Sequence, residues 1–285
     1  MPENIEKILP LPETPCELWV PHITEILRAE IQKTGLTKAV LGVSGGIDSA
    51  LSLAFAVKAL GAENVTAYLM PYETSNPSSE DHGKLVCDHF NVKSEKIEVT
   101  PMANAYFSQI SDLTNLQKGN VMARLRMIIL YDRSSQNSAL VVGTSNKTEG
   151  LLGYSTLWGD MASAVNPLGD LYKFQVRALS KFLGVPSELI NKPPSADLWE
   201  GQTDEADLQM TYDIADRILY NWIDLARPRS EIAEKLRQCE HDPALVEKVF
   251  KRVSFSQFKR KMPVIAKVSR RTINREFRNP RDWGM

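Results

Sequence analysis

The apolar run Ala39-Val40-Leu41-Gly42-Val43 leads directly into Ser44-Gly45-Gly46-Ile47-Asp48-Ser49, and a helical pattern over residues 50–60 follows at once. Strand, glycine-rich turn and helix in that order leave the chain few options. The arrangement aims several backbone N–H groups and a helix N-terminus at one anionic group. The turn carries an aspartate and lacks the lysine of a Walker A loop, G-x-x-x-x-G-K-[ST]. A carboxylate about 4 Å from a phosphate charge costs roughly 4 kcal/mol at an effective dielectric of 20. Asp48 therefore belongs there only if a divalent cation lies between the two, and the turn reads as a site for Mg²⁺ and a polyphosphate.

The surrounding pattern predicts an α/β fold. Residues 18–31 carry apolar side chains at helical spacing, and 64–70 read as a second strand closed by Pro71. A helix with an acidic start covers about 79–90, and 96–99 and 139–142 are the third and fourth strand candidates. Pro101 opens another helix where proline is tolerated. Residues 119–132 are strongly helical, with Val121, Leu125, Ile128 and Ile129 marking the buried side. Strands alternating with helices at this spacing predict a Rossmann-like, doubly wound parallel sheet flanked by helices. Ligands of such sheets lie beyond the carboxyl ends of the strands. From residue 171 the chain is mostly helical, broken by Lys192-Pro193-Pro194 and Pro228. The expected organisation is a single domain, 1–285, with an N-terminal helical segment (1–36), a nucleotide-binding α/β core (37–200) and a helical C-terminal extension (201–285).

Thirty-four basic residues balance 35 acidic ones, a formal charge of −1 that excludes a generally basic nucleic-acid binder. No apolar run approaches the roughly 20 residues of a membrane span, and residues 1–7 lack a signal-peptide core. Cys16, Cys87 and Cys239 are widely spaced and odd in number, as expected of reduced thiols in a cytoplasmic protein. The expected partners are small molecules, with no membrane and no nucleic acid.

A second strand end, Gly143-Thr144-Ser145-Asn146-Lys147-Thr148-Glu149, offers small hydroxyl residues for close contact with a nucleotide. It also supplies a second carboxylate. Asp48 and Glu149, from separate loops, would complete a Mg²⁺ shell together with phosphate oxygens and water. Taken alone, Glu149 is more commonly an acid at a helix N-terminus. Residues 150–167 form a long loop whose apolar content argues for an ordering lid or a subunit contact rather than disorder.

The loop S-G-G-x-D-S resembles that of N-type ATP pyrophosphatases, which cleave ATP between its α- and β-phosphates. Further segments occur in order: Gly119-Asn120-Val121-Met122-Ala123-Arg124-Leu125-Arg126-Met127, Gly143-Thr144-Ser145-Asn146-Lys147, Gly159-Asp160, Asn166-Pro167-Leu168 and Lys192-Pro193-Pro194-Ser195-Ala196-Asp197-Leu198. Together they resemble ammonia-dependent NAD synthetase over residues 18–262.

That resemblance implies a ligase forming a C–N bond: ATP-dependent amidation of deamido-NAD with ammonia, through an adenylated carboxylate, giving NAD, AMP and pyrophosphate. It implies Mg²⁺ on Asp48 and Glu149, and an ATP site built from Ser44, Gly45, Gly46, Ile47, Asp48, Ser49, Thr144, Lys173 and Ser195. Lys173 stands at the family's phosphate lysine, with a solvated lysine as its ordinary alternative. Ser195 could equally be a helix N-cap. Arg124 matches the arginine that contacts deamido-NAD. Arg126, two residues on, points elsewhere on the helix, so only one of them faces the site directly. Asp160 matches the aspartate near the ammonia site, a candidate general base, though it could cap a turn. Asp48, Asp160 and Lys173 are thus the catalytic candidates. The basic stretch 251–278 would place Lys259 and Phe258 over deamido-NAD, where many relatives carry His-Lys. Some relatives also carry a lysine before Gly159-Asp160, where this chain has Leu157 or Trp158. The family is a homodimer with the deamido-NAD site at the interface. A tRNA-thiolating enzyme or another amide ligase of the same superfamily is the nearest alternative, and a nucleotide-sensing module without turnover is a more distant one. The length leaves no room for a glutaminase domain, so ammonia would come free or from a separate protein.

Overall fold

The computed structural model describes residues 4–195, 197, 201–273 and 276–277. Ala196 and Leu198 of the proline-rich motif, and Arg278 at the end of the basic stretch, lie outside them. Four parallel strands, β1 (Lys38–Gly42), β2 (Val65–Leu69), β3 (Lys93–Lys96) and β4 (Ala139–Val141), lie in the order β3-β2-β1-β4. Val40 of β1 registers with Thr66 on one side and Val141 on the other. Up to the end of the sheet the helices are α1 (Ile5–Ile8), α2 (Cys16–Gln32), α3 (Ile47–Leu60), α4 (Pro77–His89), α5 (Thr100–Phe107) and α6 (Asn115–Asn137). After it come α7 (Lys147–Leu152), α8 (Lys173–Phe182), α9 (Ser187–Asn191), α10 (Asp204–Leu208), α11 (Tyr212–Leu219), α12 (Arg229–Gln238) and α13 (Ala244–Phe255).

Alternation along the strands divides the sheet core in two, because successive side chains point to opposite faces. Ala39, Leu41, Ala67 and Leu69 join α2, α3 and α8 in one apolar cluster. Val40, Tyr68, Val99 and Ile129 build the other, under α6. The sheet is therefore covered on both faces, as a doubly wound fold requires. Helix α3 is buried nearly all round, which its Ala and Ser content permits, and Ser52 Oγ within it donates to the Gly143 carbonyl at 2.9 Å. That bond fixes the two strand-end loops relative to each other.

Leu208, Tyr212, Ile218, Leu219, Ile232, Leu236 and Val249 form a third cluster in the helical C-terminal layer. It also takes in Leu9, whose carbonyl accepts from Arg217 Nη1 at 2.7 Å, so the N-terminal segment serves two cores. Among the described residues no helix is long and apolar enough to cross a membrane.

Three expectations are corrected. The third strand is Lys93–Lys96 rather than 96–99: it is an exposed, polar edge strand, and the apolar Ile97 and Val99 that suggested a strand sit just past its end, against the sheet. On α6 the buried positions are Gly119, Met122, Ala123 and Ile129, while Ile128 is 55% exposed, because the helix tucks only one narrow side against β1 and β4. Finally, the long loop is shorter than 150–167. Its start completes α7, Val165 bridges Val142, and Ala164 N–H donates to the Val141 carbonyl, extending the sheet edge.

Candidate functional site

The turn after β1 is shaped by one glycine. Gly45 has φ +74°, and a Cβ there would lie 2.1 Å from the Ser79 carbonyl oxygen of α4. Only glycine allows the turn to close against that helix. Ser49 Oγ donates to the Gly46 carbonyl at 3.0 Å and accepts from Ser44 N–H at 3.2 Å, tightening the turn from within. Helix α3 begins at Ile47 with Gly46 as its N-cap and no side chain capping it. Its first N–H groups thus remain unpaired by side chains, which is the anion-receiving arrangement.

Asp48, in the first turn of α3, meets two partners brought from far along the chain. Its Oδ1 accepts from Asn146 Nδ2 at 2.8 Å, and its Oδ2 pairs with Lys173 Nζ. Lys173 Nζ also lies 3.2 Å from Glu149 Oε1, so one ammonium bridges both carboxylates. Lys173 is only 2% exposed, which removes the solvated-lysine alternative. Glu149 does two things at once. It is the N3 acid of a capping box on α7, Oε2 accepting from Asn146 N–H at 3.3 Å, while Oε1 faces Lys173.

The electrostatics follow from charge count. Burial, with Asp48 adding to it, pushes the Glu149 carboxyl up to about 8. Burial disfavours the Lys173 ammonium, but Asp48 and Glu149 outweigh it and raise its pKa. Asp204, itself raised by burial, adds a third carboxylate to the field on Lys173. Crowding three carboxyl groups around one ammonium resists their ionisation, a resistance that a divalent cation would relieve. Asp48 and Glu149 are hard oxygen donors suited to Mg²⁺. Among the described residues no three His, Cys, Asp or Glu side chains converge as a ready metal site. Phosphate oxygens and water would have to complete the shell.

A buried aspartate sets the position of Lys173. Asp216 accepts from Thr148 Oγ1 at 2.5 Å and from Phe174 N–H at 2.8 Å, while Lys173 N–H donates to Thr148 Oγ1 at 3.0 Å. The start of α8 is thereby locked to α7. Tyr172, just before Lys173, donates to Asp224 in the π-helical turn Tyr220–Asp224.

A cavity of about 1610 Å³ opens over this cluster. Of the residues singled out from sequence, Ser44, Gly46, Ile47, Asp48, Ser49, Thr144, Glu149, Asp160, Lys173, Ser195 and Lys259 line it. Gly45 lies behind the turn against Ser79. Ser195 Oγ donates to the Gln202 carbonyl at 2.7 Å and accepts from Asp197 N–H at 3.1 Å. Asp160 Oδ1 accepts from Thr156 N–H at 2.6 Å, and burial raises its pKa against the pull of that bond and of Lys259 and Arg126. Lys259 Nζ is fixed by the Gly153 and Ser155 carbonyls at 2.8 and 2.6 Å.

Two residues stand apart. Arg124 is exposed and donates to the Leu157 carbonyl, whereas Arg126 lines the cavity and donates to the Met70 carbonyl at 2.9 Å. Phe258 is 61% exposed and borders a separate groove with Leu152, Phe255 and Lys259. Much of the basic stretch is tied to backbone carbonyls, with Arg260 on Gly150 and Leu151 and Arg252 on Asp207. Burial pushes the Cys87 thiol up to about 12, which suits packing rather than nucleophilic work.

Asn146, Asp204, Asp216, Arg126 and Lys192 were not singled out as site residues from sequence. Asn146 left a signal as the first member of the N-x-x-E capping box, Arg126 as the neighbour weighed against Arg124, and Lys192 as the first residue of the proline-rich motif; Asp204 and Asp216 left none.

The family model described as NAD synthase matches residues 19–263. The NH(3)-dependent NAD(+) synthetase of Trichlorobacter lovleyi is 54% identical over 258 residues, 90% of this chain and 93% of the relative. That of Chlorobaculum tepidum is 50% identical over 262 residues, 92% of this chain and 93% of the relative. Among solved structures, the NH3-dependent NAD synthetase from Campylobacter jejuni in complex with the nitrate ion superposes with a TM-score of 0.72 at 32% identity, covering 93% of this chain and 100% of the other. The NMN synthetase from Francisella tularensis superposes with a TM-score of 0.77 at 29% identity, covering 89% and 99%.

Proposed function

The chain belongs to the NAD synthase family, and from that premise we propose that its cleft carries out the ATP-dependent amidation of deamido-NAD with ammonia. The observation that carries the reading is the bridging of Asp48 and Glu149 by the buried ammonium of Lys173 at an uncapped helix N-terminus.

The nicotinate carboxylate attacks the α-phosphorus of ATP. The bond from that phosphorus to the bridging oxygen breaks, and pyrophosphate leaves with the bond's electron pair. Ammonia then adds to the carbonyl carbon of the adenylate, loses a proton, and AMP departs to give NAD. A carboxylate becomes a competent acyl donor only once its oxygen is made a good leaving group. The protein's task is therefore alignment and charge neutralisation. Ser44, Gly45, Gly46, Ile47 and Ser49 present the anion-receiving turn, and Thr144 and Ser195 line the same cleft. Lys173 supplies a fixed positive charge beside Asp48, and Asp216 keeps its backbone in place. Asp48 and Glu149 would hold Mg²⁺, which when bound screens the phosphate charges from the carboxylates. Asp160, which lines the cleft, is assigned to take the proton that ammonia must lose. Arg124, Lys259 and Phe258 are assigned to deamido-NAD. Arg124 shares α6 with the exposed Leu116, Ile128 and Tyr131, and Phe258 borders the outer groove with the exposed Phe255. That apolar exposure supports a homodimer whose interface contributes to the dinucleotide site.

The test mixes the protein with ATP, Mg²⁺, ammonium and deamido-NAD and measures AMP, pyrophosphate and NAD, with nicotinic acid mononucleotide as the competing carboxylate. Equimolar AMP, pyrophosphate and NAD support the reading. Turnover with the mononucleotide alone, or none with either, overturns it.

A further inference from the structure

The phosphate-receiving turn has an electrostatic demand that Lys173 does not meet alone, since its ammonium is committed to Asp48 and Glu149. Lys192 approaches the same turn from the other side. Its Nζ lies 3.4 Å from the Gly45 carbonyl oxygen and 3.0 Å from Ser79 Oγ. Both acceptors are neutral, and among the described residues Lys192 makes no ion pair. Asp197 acts on it only at longer range, and both Asp197 oxygens already accept from Asn76 N–H at 3.1 Å. Burial holds the Lys192 ammonium below the usual lysine range. An ammonium has three donor protons, so two neutral acceptors leave one proton and the whole charge available. The side chain also lines the cavity shared with Ser44, Asp48 and Lys173.

We propose that Lys192 binds the β- and γ-phosphoryl oxygens of ATP and neutralises pyrophosphate as it leaves, acting as the turn's missing phosphate lysine. The assignment rests on the nucleotide reading of the cleft given above. Gly45, closed tightly against α4, offers its carbonyl to Lys192 and so anchors the ammonium at the edge of the turn. Leaving-group charge grows on the β-phosphate as the α–β bond breaks, so a cation there acts most strongly in the transition state.

The test is calorimetric titration of the full chain with inorganic pyrophosphate and, separately, with AMP, both with Mg²⁺. The titration is repeated on Lys192→Met and on Lys192→Gln, which removes the charge but keeps a donor for Gly45 and Ser79. The expected result is a loss of about ten- to hundredfold in pyrophosphate affinity in both variants, the scale of one hydrogen bond to a charged group. AMP affinity should stay within about twofold, because AMP lacks the phosphates in question, and Lys192→Arg should recover most of the loss. Unchanged pyrophosphate binding in Lys192→Gln, or an equal loss for AMP and pyrophosphate, overturns the assignment and leaves the nucleotide reading standing. Wild-type protein that binds neither ligand overturns both.

Discussion

Replacing Asp48 by Asn separates the chemistry of the cleft from its stability. Asp48 accepts from Asn146 and pairs with Lys173, while Lys173 retains Glu149 as a second partner. An asparagine keeps one acceptor but turns its NH₂ toward either Asn146 or Lys173, so one contact is lost whichever way it sits. The lost charge-assisted bond costs about 1.5–3 kcal/mol. Relief of the repulsion between Asp48 and Glu149, which helps to raise the Glu149 carboxyl, offsets part of that. No buried charge is left without a partner, so the larger cost of roughly 3–5 kcal/mol for a broken buried pair does not apply. The midpoint of thermal unfolding should fall by only a few degrees, at roughly 2–4 °C per kcal/mol. Adenylation should fall far more, by about 10²–10³-fold, the scale of removing one group that stabilises transition-state charge. Rapid-quench measurement of the pyrophosphate burst with ATP, Mg²⁺ and deamido-NAD, beside a melting curve, reads both quantities. A folded Asp48→Asn protein that releases pyrophosphate at the wild-type rate would refute the charge argument.

Asp160→Asn should leave the pyrophosphate burst nearly intact while slowing NAD formation by about 10²–10⁴-fold, the range of a positioned general base; equal losses in both steps would show that Asp160 does not act on ammonia. Asp216 gives a pH signature through stability. Burial raises its carboxyl from 3.8 to about 6, so the folded state holds that proton more tightly than the unfolded chain does. Its stabilising contribution is complete below pH 3.8 and is lost as pH rises through about 6, a swing of about 3 kcal/mol at 1.36 kcal/mol per unit. Urea unfolding of wild type and Asp216→Asn at pH 4 and pH 8 should show the difference between them moving by that amount, and a pH-independent difference would contradict it.

The sheet was legible because β1 runs into a glycine-rich turn, Pro71 and Gly143 follow β2 and β4, and all three strands carry apolar residues that only a covered sheet can bury. Lys93–Lys96 was not, since an edge strand needs no apolar face and the informative residues, Ile97 and Val99, come after it. Asp48, Glu149 and Lys173 stood out by motif, yet their bridging by one ammonium depends on a pairing 125 residues apart in sequence. Asp204 and Asp216 lie among the polar residues of C-terminal helices, where an acid on a buried side looks the same as one on a solvated face. Arg124 and Arg126 differ only in helical phase, and the burial of α6 decides which enters the cavity.

Oxygen-isotope transfer tests the adenylation claim most directly. Deamido-NAD labelled with ¹⁸O in both nicotinate carboxyl oxygens is converted with ATP, Mg²⁺ and ammonium, and AMP and pyrophosphate are analysed by mass spectrometry. Attack by the carboxylate on the α-phosphorus predicts one ¹⁸O in each AMP and none in pyrophosphate. Unlabelled AMP, or ADP and labelled inorganic phosphate in its place, would contradict it.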